Sequence, residues 1–276
     1  MRPARFLRKK CAILRSFSAV VPRRPRRATV AVRSSTTGNE VTDQTPTPPR
    51  RRLTASKTAK AKGAARVPST SALDRRTRMI ESKRAVIIDA AMDLFSRYGL
   101  HGTSLDQVAT QADVSKTNLL YYFGTKEDLY VSVLRQLLDV WLLPLKMFNA
   151  DQDPVEAISA YLRVKLELSR DHPAESRLFC MEIMRGAPLL LSELEQPLRE
   201  LVENKVMVIQ TWIDAGKLAP VEPHHLIFSL WATTQHYADF RVQIEAIGGK
   251  TLDDPAFFEE ALQSLQSLIL NGVRPR

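Results

Sequence analysis

Residues 83–130 constrain the fold of this chain more than any other stretch. Apolar residues recur there at spacings of three and four, as in Ile87, Ala90, Ala91, Leu94 and Phe95. This spacing places them on one face of an α-helix, and Gly99 supplies a stop signal. The pattern predicts a long amphipathic helix whose apolar face packs against the segments that follow.

Two short helices joined by a tight turn are predicted next. Thr103 or Ser104 is placed to cap the first, and Ser115 to cap the second, which ends at Tyr122. Asp113 lies in the turn at a position that requires a left-handed backbone, which Asp tolerates better than most residues. Two short helices that cross in this way leave the second projecting, and its size suits the major groove. The segment is therefore interpreted as a DNA-reading helix-turn-helix.

The same segment resembles the helix-turn-helix of the TetR family of bacterial regulators. The matching elements are Phe95 to Gly99, Gly102-Thr103, Val114-Ser115-Lys116, Tyr121-Tyr122-Phe123 and Lys126-Glu127-Asp128-Leu129. Tyr121 matches a DNA-contacting tyrosine of the family, whereas Asp113 and Leu120 replace the Gly and Tyr usual at their positions. The resemblance implies an all-α, TetR-like fold, in which an N-terminal three-helix head precedes a C-terminal helical domain for ligand binding and dimerisation.

Eight residues are predicted to contact double-stranded operator DNA. They are Thr103, Ser115, Lys116, Thr117, Asn118, Tyr121, Tyr122 and Lys126. Lys116, Thr117 and Asn118 belong to the first turn of the second short helix, where their polar groups are suited to base edges. The resemblance implies that Thr103 and Lys126 bind phosphates, one at a helix start and the other as a counter-charge. For each residue, solvent exposure or packing without a DNA role is the alternative.

Charge is unevenly distributed along the chain. Residues 1–78 contain 21 of the 40 Lys and Arg residues and three of the 30 Asp and Glu residues, so their net charge is +18, against −8 for the remainder. This basic extension lacks a sustained apolar period and is predicted to be disordered. Three interpretations remain open: an arm that adds sequence-independent affinity for DNA, an extension without a role or with a misassigned start, and an organelle transit peptide.

The remaining chain divides into a helix-turn-helix domain over residues 79–130 and a ligand-binding and dimerisation domain over residues 131–276. Apolar periodicity, Pro and Gly predict helices over residues 126–146, 154–169, 174–184, 189–213, 223–247 and 255–270. The last two are apolar around more than one face, and an apolar surface of that size usually marks an interface. A homodimer through residues 223–270 is predicted, with an interior helix pair in a monomer as the alternative. Two-fold symmetry implies a near-palindromic operator.

Trp231 and Gln235 lie four residues apart and therefore share one helical face. A flat indole beside a primary amide suits a planar imide such as uracil or thymine. The amide oxygen accepts from a ring N–H, while the amide nitrogen donates to the adjacent carbonyl. An ordinary core that contains an aromatic residue and a satisfied glutamine is the alternative.

Residues 131–276 also resemble those TetR family members that regulate pyrimidine utilisation, notably over residues 176–182, 186–190 and 231–239. The resemblance suggests further residues of the ligand-binding wall: Trp141, Leu142, Arg177, Cys180 and Glu182. It implies a repressor that uracil or thymine releases from operator DNA, with coupling through the helix over residues 126–146. A repressor that senses a hydrophobic or cationic drug-like effector is the alternative, for which several carboxylates in an aromatic pocket would be expected.

Other classes of protein are disfavoured. No apolar run reaches the roughly 18 residues that a membrane span requires. Cys11 and Cys180 suggest neither a disulfide framework nor a zinc site, as expected in the reducing cytoplasm. His236 and Asp239 are spaced so that they could hold a metal, with a His pair at residues 224–225 nearby. The chain nevertheless lacks a further ligand at fixed spacing, a phosphate loop and a nucleophile elbow. We therefore expect no enzyme activity, no cofactor and no metal.

Overall fold

The computed structural model describes residues 70–275, which are helical without any strand. Most of the predicted basic extension lies outside these residues, although the first helix already begins at Thr70. The helices are α1 (Thr70–Gly102), α2 (Leu105–Gln111), α3 (Lys116–Tyr122), α4 (Lys126–Lys146), α5 (Pro154–Asp171), α6 (Pro173–Met184), α7 (Leu191–Glu193), α8 (Arg199–Asp214), α9 (Pro223–Asp239), α10 (Arg241–Gly248) and α11 (Pro255–Val273). A π-helical turn, Leu194–Leu198, joins α7 to α8. The predicted all-α fold is confirmed.

The head, α1 to α3, has the predicted local signals. Ser104 caps α2 through a capping box in which Gln107 N donates to Ser104 Oγ at 3.2 Å and Ser104 N donates to Gln107 Oε1 at 2.8 Å. Ser115 caps α3 by accepting from Asn118 N at 3.1 Å. Gly99 interrupts α1 with φ of 70°, and Asp113 has the expected left-handed backbone with φ of 53°. Short-range hydrogen bonds thus define both ends of the turn.

A continuous apolar core joins the head to the rest of the molecule. It contains buried residues of α1, α2 and α3 and continues along α4 and α5, so the head does not have a separate core. Phe95 of α1 meets Tyr130 of α4 edge to face, with ring centroids 5.1 Å apart. The Tyr130 hydroxyl then donates to Glu182 Oε2 of α6 at 3.3 Å. These three side chains form the head–body junction.

A second core holds the body together around α5. It combines the end of α4 with buried faces of α5, α8, α9 and α11, and Phe148 packs between Tyr161 and Trp212 at ring distances of 5.5 and 5.4 Å. The buried face of α5 recurs at helical spacing, and Asp153 caps its N-terminus. Helices α4, α6, α9 and α11 all pack against α5.

Two predicted helices are interrupted. The helix predicted over residues 189–213 instead contains the π-helical turn at Pro197, because proline supplies no N–H and crowds the preceding carbonyl. The helix predicted over residues 223–247 breaks at Phe240, where α10 begins. Neither Pro nor Gly marks this second break. It coincides with a hydrogen bond from Ser176 Oγ to Asp239 Oδ1 at 2.6 Å and with stacking of His236 on Phe240.

Helices α9 to α11 divide their apolar residues between the interior and the surface. Leu226, Leu230 and Leu262, among those predicted to form the dimer face, are buried within this single chain. Ile247 and Leu268 remain 81% and 73% exposed. The multi-faced apolar pattern therefore has two origins, since one face packs on α5 and another lies open.

Candidate functional site

The exposed face of α3 carries most of the polar groups that were predicted to contact DNA. Lys116 and Thr117 are exposed, Asn118 is half-buried, and Tyr121 is 74% exposed. Lys116 Nζ forms an ion pair with Asp106 Oδ2 of α2 at 2.9 Å. A phosphate or a guanine edge would have to replace this carboxylate. Breaking an exposed ion pair costs little free energy.

The opposite face of α3 is structural. Leu119 is buried in the core, and so is Phe123 just after the helix. Arg84 of α1 donates from Nη1 to the Tyr122 carbonyl at 2.7 Å, and its guanidinium lies 4.4 Å from the centre of the Phe123 ring. Arg84 thereby fixes the orientation of α3, and the half-buried Tyr122 is anchored through its backbone.

Thr103 and Lys126 are brought together at the edge of the head. Lys126 Nζ donates to the Thr103 carbonyl at 3.2 Å, while the Thr103 hydroxyl donates to the Gly99 carbonyl at 2.9 Å. Because the Thr103 side chain is 2% exposed, its hydroxyl is unavailable to a phosphate. A phosphate contact at this position would have to use the backbone at the helix start, with the ammonium group of Lys126 beside it.

A cavity of about 320 Å³ lies in the body between α4, α5, α6 and α9 and the π-helical turn. Five of the seven predicted ligand-binding residues line it: Trp141, Leu142, Cys180, Trp231 and Gln235. The other lining residues are Leu138, Lys165, Phe179, Ile183, Leu194 and Leu198. This size lies at the small end of the range of ligand pockets.

Polar groups without protein partners distinguish this cavity from its apolar surroundings. The Trp141 indole N–H is buried with no acceptor. Among residues 70–275, neither the Gln235 amide nor the Lys165 ammonium group takes part in a side-chain hydrogen bond. Buried polar groups are nearly always hydrogen-bonded in folded proteins, and unpaired groups around a cavity are available to pair with a bound molecule.

Lys165 is the charged residue of this wall, and the sequence analysis missed it. Its side chain is 2% exposed, and its Nζ lies 5.7 Å from the centre of the Trp141 ring. Burial lowers its pKa to about 7, an effect that the charge of Asp239 partly offsets. The signal was available, because Lys165 occupies the apolar face of α5 at helical spacing from Tyr161 and Leu168.

Arg177 and Glu182 do not line the cavity, which corrects their assignment to its wall. Arg177 is exposed to solvent. Glu182 belongs to the head–body junction: besides its bond to Tyr130, its Oε1 accepts from Leu189 N at 3.2 Å. Both residues are on α6, a helix with a weak amphipathic pattern, so the sequence did not establish which side chains face inward.

The residues considered for a metal site have other contacts. Asp239 accepts from Ser176, the His236 ring stacks on Phe240 with centroids 4.8 Å apart, and His224 lies between Glu222 and Glu203. Within residues 70–275, no group of three or more His, Cys, Asp and Glu side chains is arranged to hold a metal ion. In the same residues, no helix is both long enough and apolar enough to cross a membrane.

Two family models together account for the described helices beyond the first part of α1. The model for bacterial regulatory proteins of the tetR family matches residues 87–133, and the model for the C-terminal region of YcdC-like proteins matches residues 134–276. The transcriptional regulator RutR of Escherichia coli (strain K12) is 54% identical over 202 residues, which cover 73% of this chain and 95% of that protein. The chain belongs to the TetR family. As a TetR family member it is a DNA-binding transcriptional regulator and not an enzyme, with α2 and α3 as the helix-turn-helix.

More distant transcriptional regulators are also similar to this chain in sequence or in fold. The regulator HbdR of Aromatoleum sp. (strain CIB) is 27% identical over 159 residues, or 55% of this chain and 67% of HbdR. The solved structure of SCO4942 from Streptomyces coelicolor superimposes with a TM-score of 0.56 at 21% identity, covering 71% of this chain and all of that one. A TetR-like regulator from Rhodococcus sp. RHA1 gives 0.50 at 21% identity, covering 69% and 95%. Proteins of this family typically dimerise.

Proposed function

We propose that this TetR family regulator represses genes of pyrimidine utilisation and leaves its operator when uracil or thymine occupies the cavity. The main support for this proposal is an apolar cavity whose wall includes polar groups without protein partners. These groups belong to Trp141, Lys165 and Gln235. A planar imide offers both carbonyl oxygens and ring N–H groups to such a wall. The identity to RutR and the resemblance to regulators of pyrimidine utilisation support the same ligand.

In the proposed complex, Gln235 determines the ligand. Its amide oxygen would accept from a ring N–H of uracil and its amide nitrogen would donate to the neighbouring carbonyl, with the ring held against Trp231. Cytosine presents an exocyclic amine and an unprotonated ring nitrogen at the corresponding edge. With the Gln235 amide held in the orientation that fits uracil, this reversal leaves polar groups mismatched, at about 1–3 kcal/mol for each buried group.

The lining of the cavity argues against a cationic drug as the effector. No Asp or Glu belongs to the lining residues, and the buried charge there is the lysine at position 165. A second cation beside that lysine would be repelled in a medium of low dielectric constant. A neutral hydrophobic effector remains the competing candidate, since most of the wall is apolar, but it would leave the polar groups unpaired.

The DNA-bound form would be a homodimer in the cytoplasm, paired through the face of α9 to α11 that this chain leaves open. Ile247 and Leu268 are exposed apolar residues of that face. A dimer would present two copies of α3 to successive major grooves of a near-palindromic operator. Binding of the base would shift the equilibrium toward the dimer geometry that fits the operator less well, through α4 and the head–body junction.

The test measures melting temperature and operator release with uracil, thymine and cytosine on the wild type, Gln235→Leu and the control Gln210→Leu. Gln210 lies on α8, where its amide donates to Asp214, and it does not line the cavity. Uracil and thymine should stabilise the wild type and the control and release both from DNA, while cytosine should do neither. Gln235→Leu should bind operator normally and ignore all three bases. An equal response to cytosine, or an intact uracil response in Gln235→Leu, contradicts the proposal.

A further inference from the structure

Lys165 is a buried lysine that forms no salt bridge within the described residues. None of the ion pairs within residues 70–275 includes it, and its ammonium nitrogen lies over the face of Trp141, 5.7 Å from the ring centre. Burying an ammonium group in apolar surroundings is unfavourable unless it is paired and hydrogen-bonded. A cation–π contact at 5.7 Å recovers a part of that free energy and leaves the N–H donors unused.

A hydrophobic residue at this position would stabilise the free protein more than lysine does. The side chain is 2% exposed, and Leu162 and Leu166 on the same helix are fully buried. Its amine reaches the same cavity as Gln235 and Trp231. An amine held at a cavity wall with no protein acceptor is arranged for an acceptor that arrives with the ligand.

We infer that Lys165 donates a hydrogen bond to a carbonyl oxygen of the bound base and is a specificity-determining residue of this cavity. The inference rests on the proposed function, which supplies a ring with two carbonyl groups. Gln235 can pair with one carbonyl and its adjacent N–H, so the second carbonyl is the acceptor left for Lys165. The ligand class is thereby narrowed to planar rings with oxygen acceptors on two edges.

A consequence is that binding should take up a proton. The groups that act on Lys165 from the surrounding helices are few: Asp239 of α9 attracts a proton to it, and Cys180 of α6 stays a neutral thiol because burial and Asp239 raise its pKa to about 11. From α11, Glu259 is engaged in a bidentate pair with Arg163. The group of α4 that faces the Lys165 amine is the uncharged indole of Trp141. His172, before α6, touches that indole from another side.

Near neutral pH, the free protein holds Lys165 partly as the neutral amine, because burial depresses its pKa to about 7. A carbonyl acceptor favours the ammonium form, so the ligand raises this pKa and a proton is bound together with the base. Affinity for uracil should consequently weaken as the pH rises from about 7 to 8.5, approaching a tenfold loss for each pH unit.

The experiment is calorimetric titration with uracil at pH 7.5 in two buffers of different ionisation enthalpy, which yields the protons exchanged on binding. Four full-length proteins are compared: wild type, Lys165→Met, Lys165→Arg and Lys205→Met. Lys205 is a matched control, a partly buried lysine on α8 that donates to the Phe148 carbonyl outside the cavity. Thermal melting of each free protein shows whether it is folded.

Wild type and Lys205→Met should take up roughly half a proton or more on binding uracil. Lys165→Met should bind uracil roughly tenfold to a hundredfold more weakly, without proton uptake and without a lowered melting temperature. Lys165→Arg, which stays charged, should retain more affinity than Lys165→Met but lose the proton uptake.

Equal affinity and equal proton uptake in wild type and Lys165→Met would overturn this inference and leave the proposed function standing. Proton release by the wild type would also overturn it, because Lys165 would then act as a neutral acceptor. If the wild type binds neither uracil nor thymine, the proposed function itself fails and the role of Lys165 falls with it. The three results are distinguishable in a single set of titrations.

Discussion

The head and the body use polar residues in opposite ways. On the head, the groups proposed to contact DNA project from α3 into solvent, and the one ion pair at Lys116 is exposed. In the body, the decisive groups, Lys165 and the Trp141 indole N–H, are buried and lack protein partners. The head therefore meets its partner with groups that are hydrated beforehand, whereas the body keeps buried groups without protein partners that a ligand can satisfy.

The head and the body therefore differ in how their polar groups contribute to the free energy of binding. Exposed groups on α3 lose and regain hydrogen bonds when DNA replaces water, so each contact contributes a modest net free energy. Buried groups in the cavity destabilise the free protein and recover that free energy when a complementary ligand binds. A small ligand can consequently shift the equilibrium of a much larger DNA-binding assembly.

The largest expected effect tests whether head and body are one cooperative structure. Phe95→Ala removes a buried ring that contacts Tyr130 and should lower the free energy of unfolding by roughly 3–5 kcal/mol. Tyr98→Ala on the same helix is the control, since Tyr98 is 56% exposed, and should change stability by about 0.5 kcal/mol or less. Denaturant unfolding followed by circular dichroism measures both. Separate unfolding transitions for head and body would show that they do not unfold as one cooperative unit.

Substitutions on α3 and at the start of α4 should separate base reading from phosphate binding. Lys116→Ala and Asn118→Ala should each weaken discrimination at particular operator positions by roughly 1–3 kcal/mol. Lys126→Ala should instead weaken binding to operator and random DNA alike, because a phosphate contact carries no base information. Binding titrations on a set of single-base operator variants give these values. Equal losses on operator and random DNA for Lys116→Ala would show that its exposed ammonium group reads no base.

Tyr130→Phe tests the head–body junction. It removes a hydroxyl that donates to Glu182 and should lower the free energy of unfolding by about 1–2 kcal/mol, because Glu182 is buried. Operator binding and uracil binding measured separately should change little, while the effect of uracil on operator affinity should shrink. Operator titrations with and without saturating uracil measure this coupling. If uracil still lowers operator affinity as much as in the wild type, the Tyr130–Glu182 bond does not transmit the effect, and other residues of α4 must do so.

The last expected effect is a pH dependence of stability that comes from the body. The folded-state pKa of Lys165, about 7, lies below its ordinary value of 10.5. Between these values the unfolded chain binds more protons, so the free energy of unfolding should rise with pH across this window. Lys165→Met should lack this contribution, and its advantage over the wild type should shrink by up to about 1.4 kcal/mol per pH unit between pH 7.5 and 10. If the free energy of unfolding depends on pH in the same way in both proteins, the pKa of Lys165 is not lowered by burial.

Most of the head could be predicted because its signals are local. Periodicity of the apolar face, the caps at Ser104 and Ser115 and the left-handed turn at Asp113 all act within a few residues. The same holds for Trp231 and Gln235, since a spacing of four on one helix brings two side chains to one face wherever that helix packs. The predicted DNA contacts stay predictions, although the structure does expose Lys116, Thr117 and Tyr121.

The sequence by itself determined the all-α fold, the helix-turn-helix and the pairing of an indole with an amide, because each depends on the intrinsic geometry of one helix or one turn. Only the tertiary structure decided that Lys165 of α5 reaches the cavity, that Glu182 joins the head–body junction and that Arg177 faces solvent. It also decided the break at Phe240. These depend on how helices far apart in the chain rotate and pack against one another, and the free energy that selects one packing comes from contacts that no local pattern encodes.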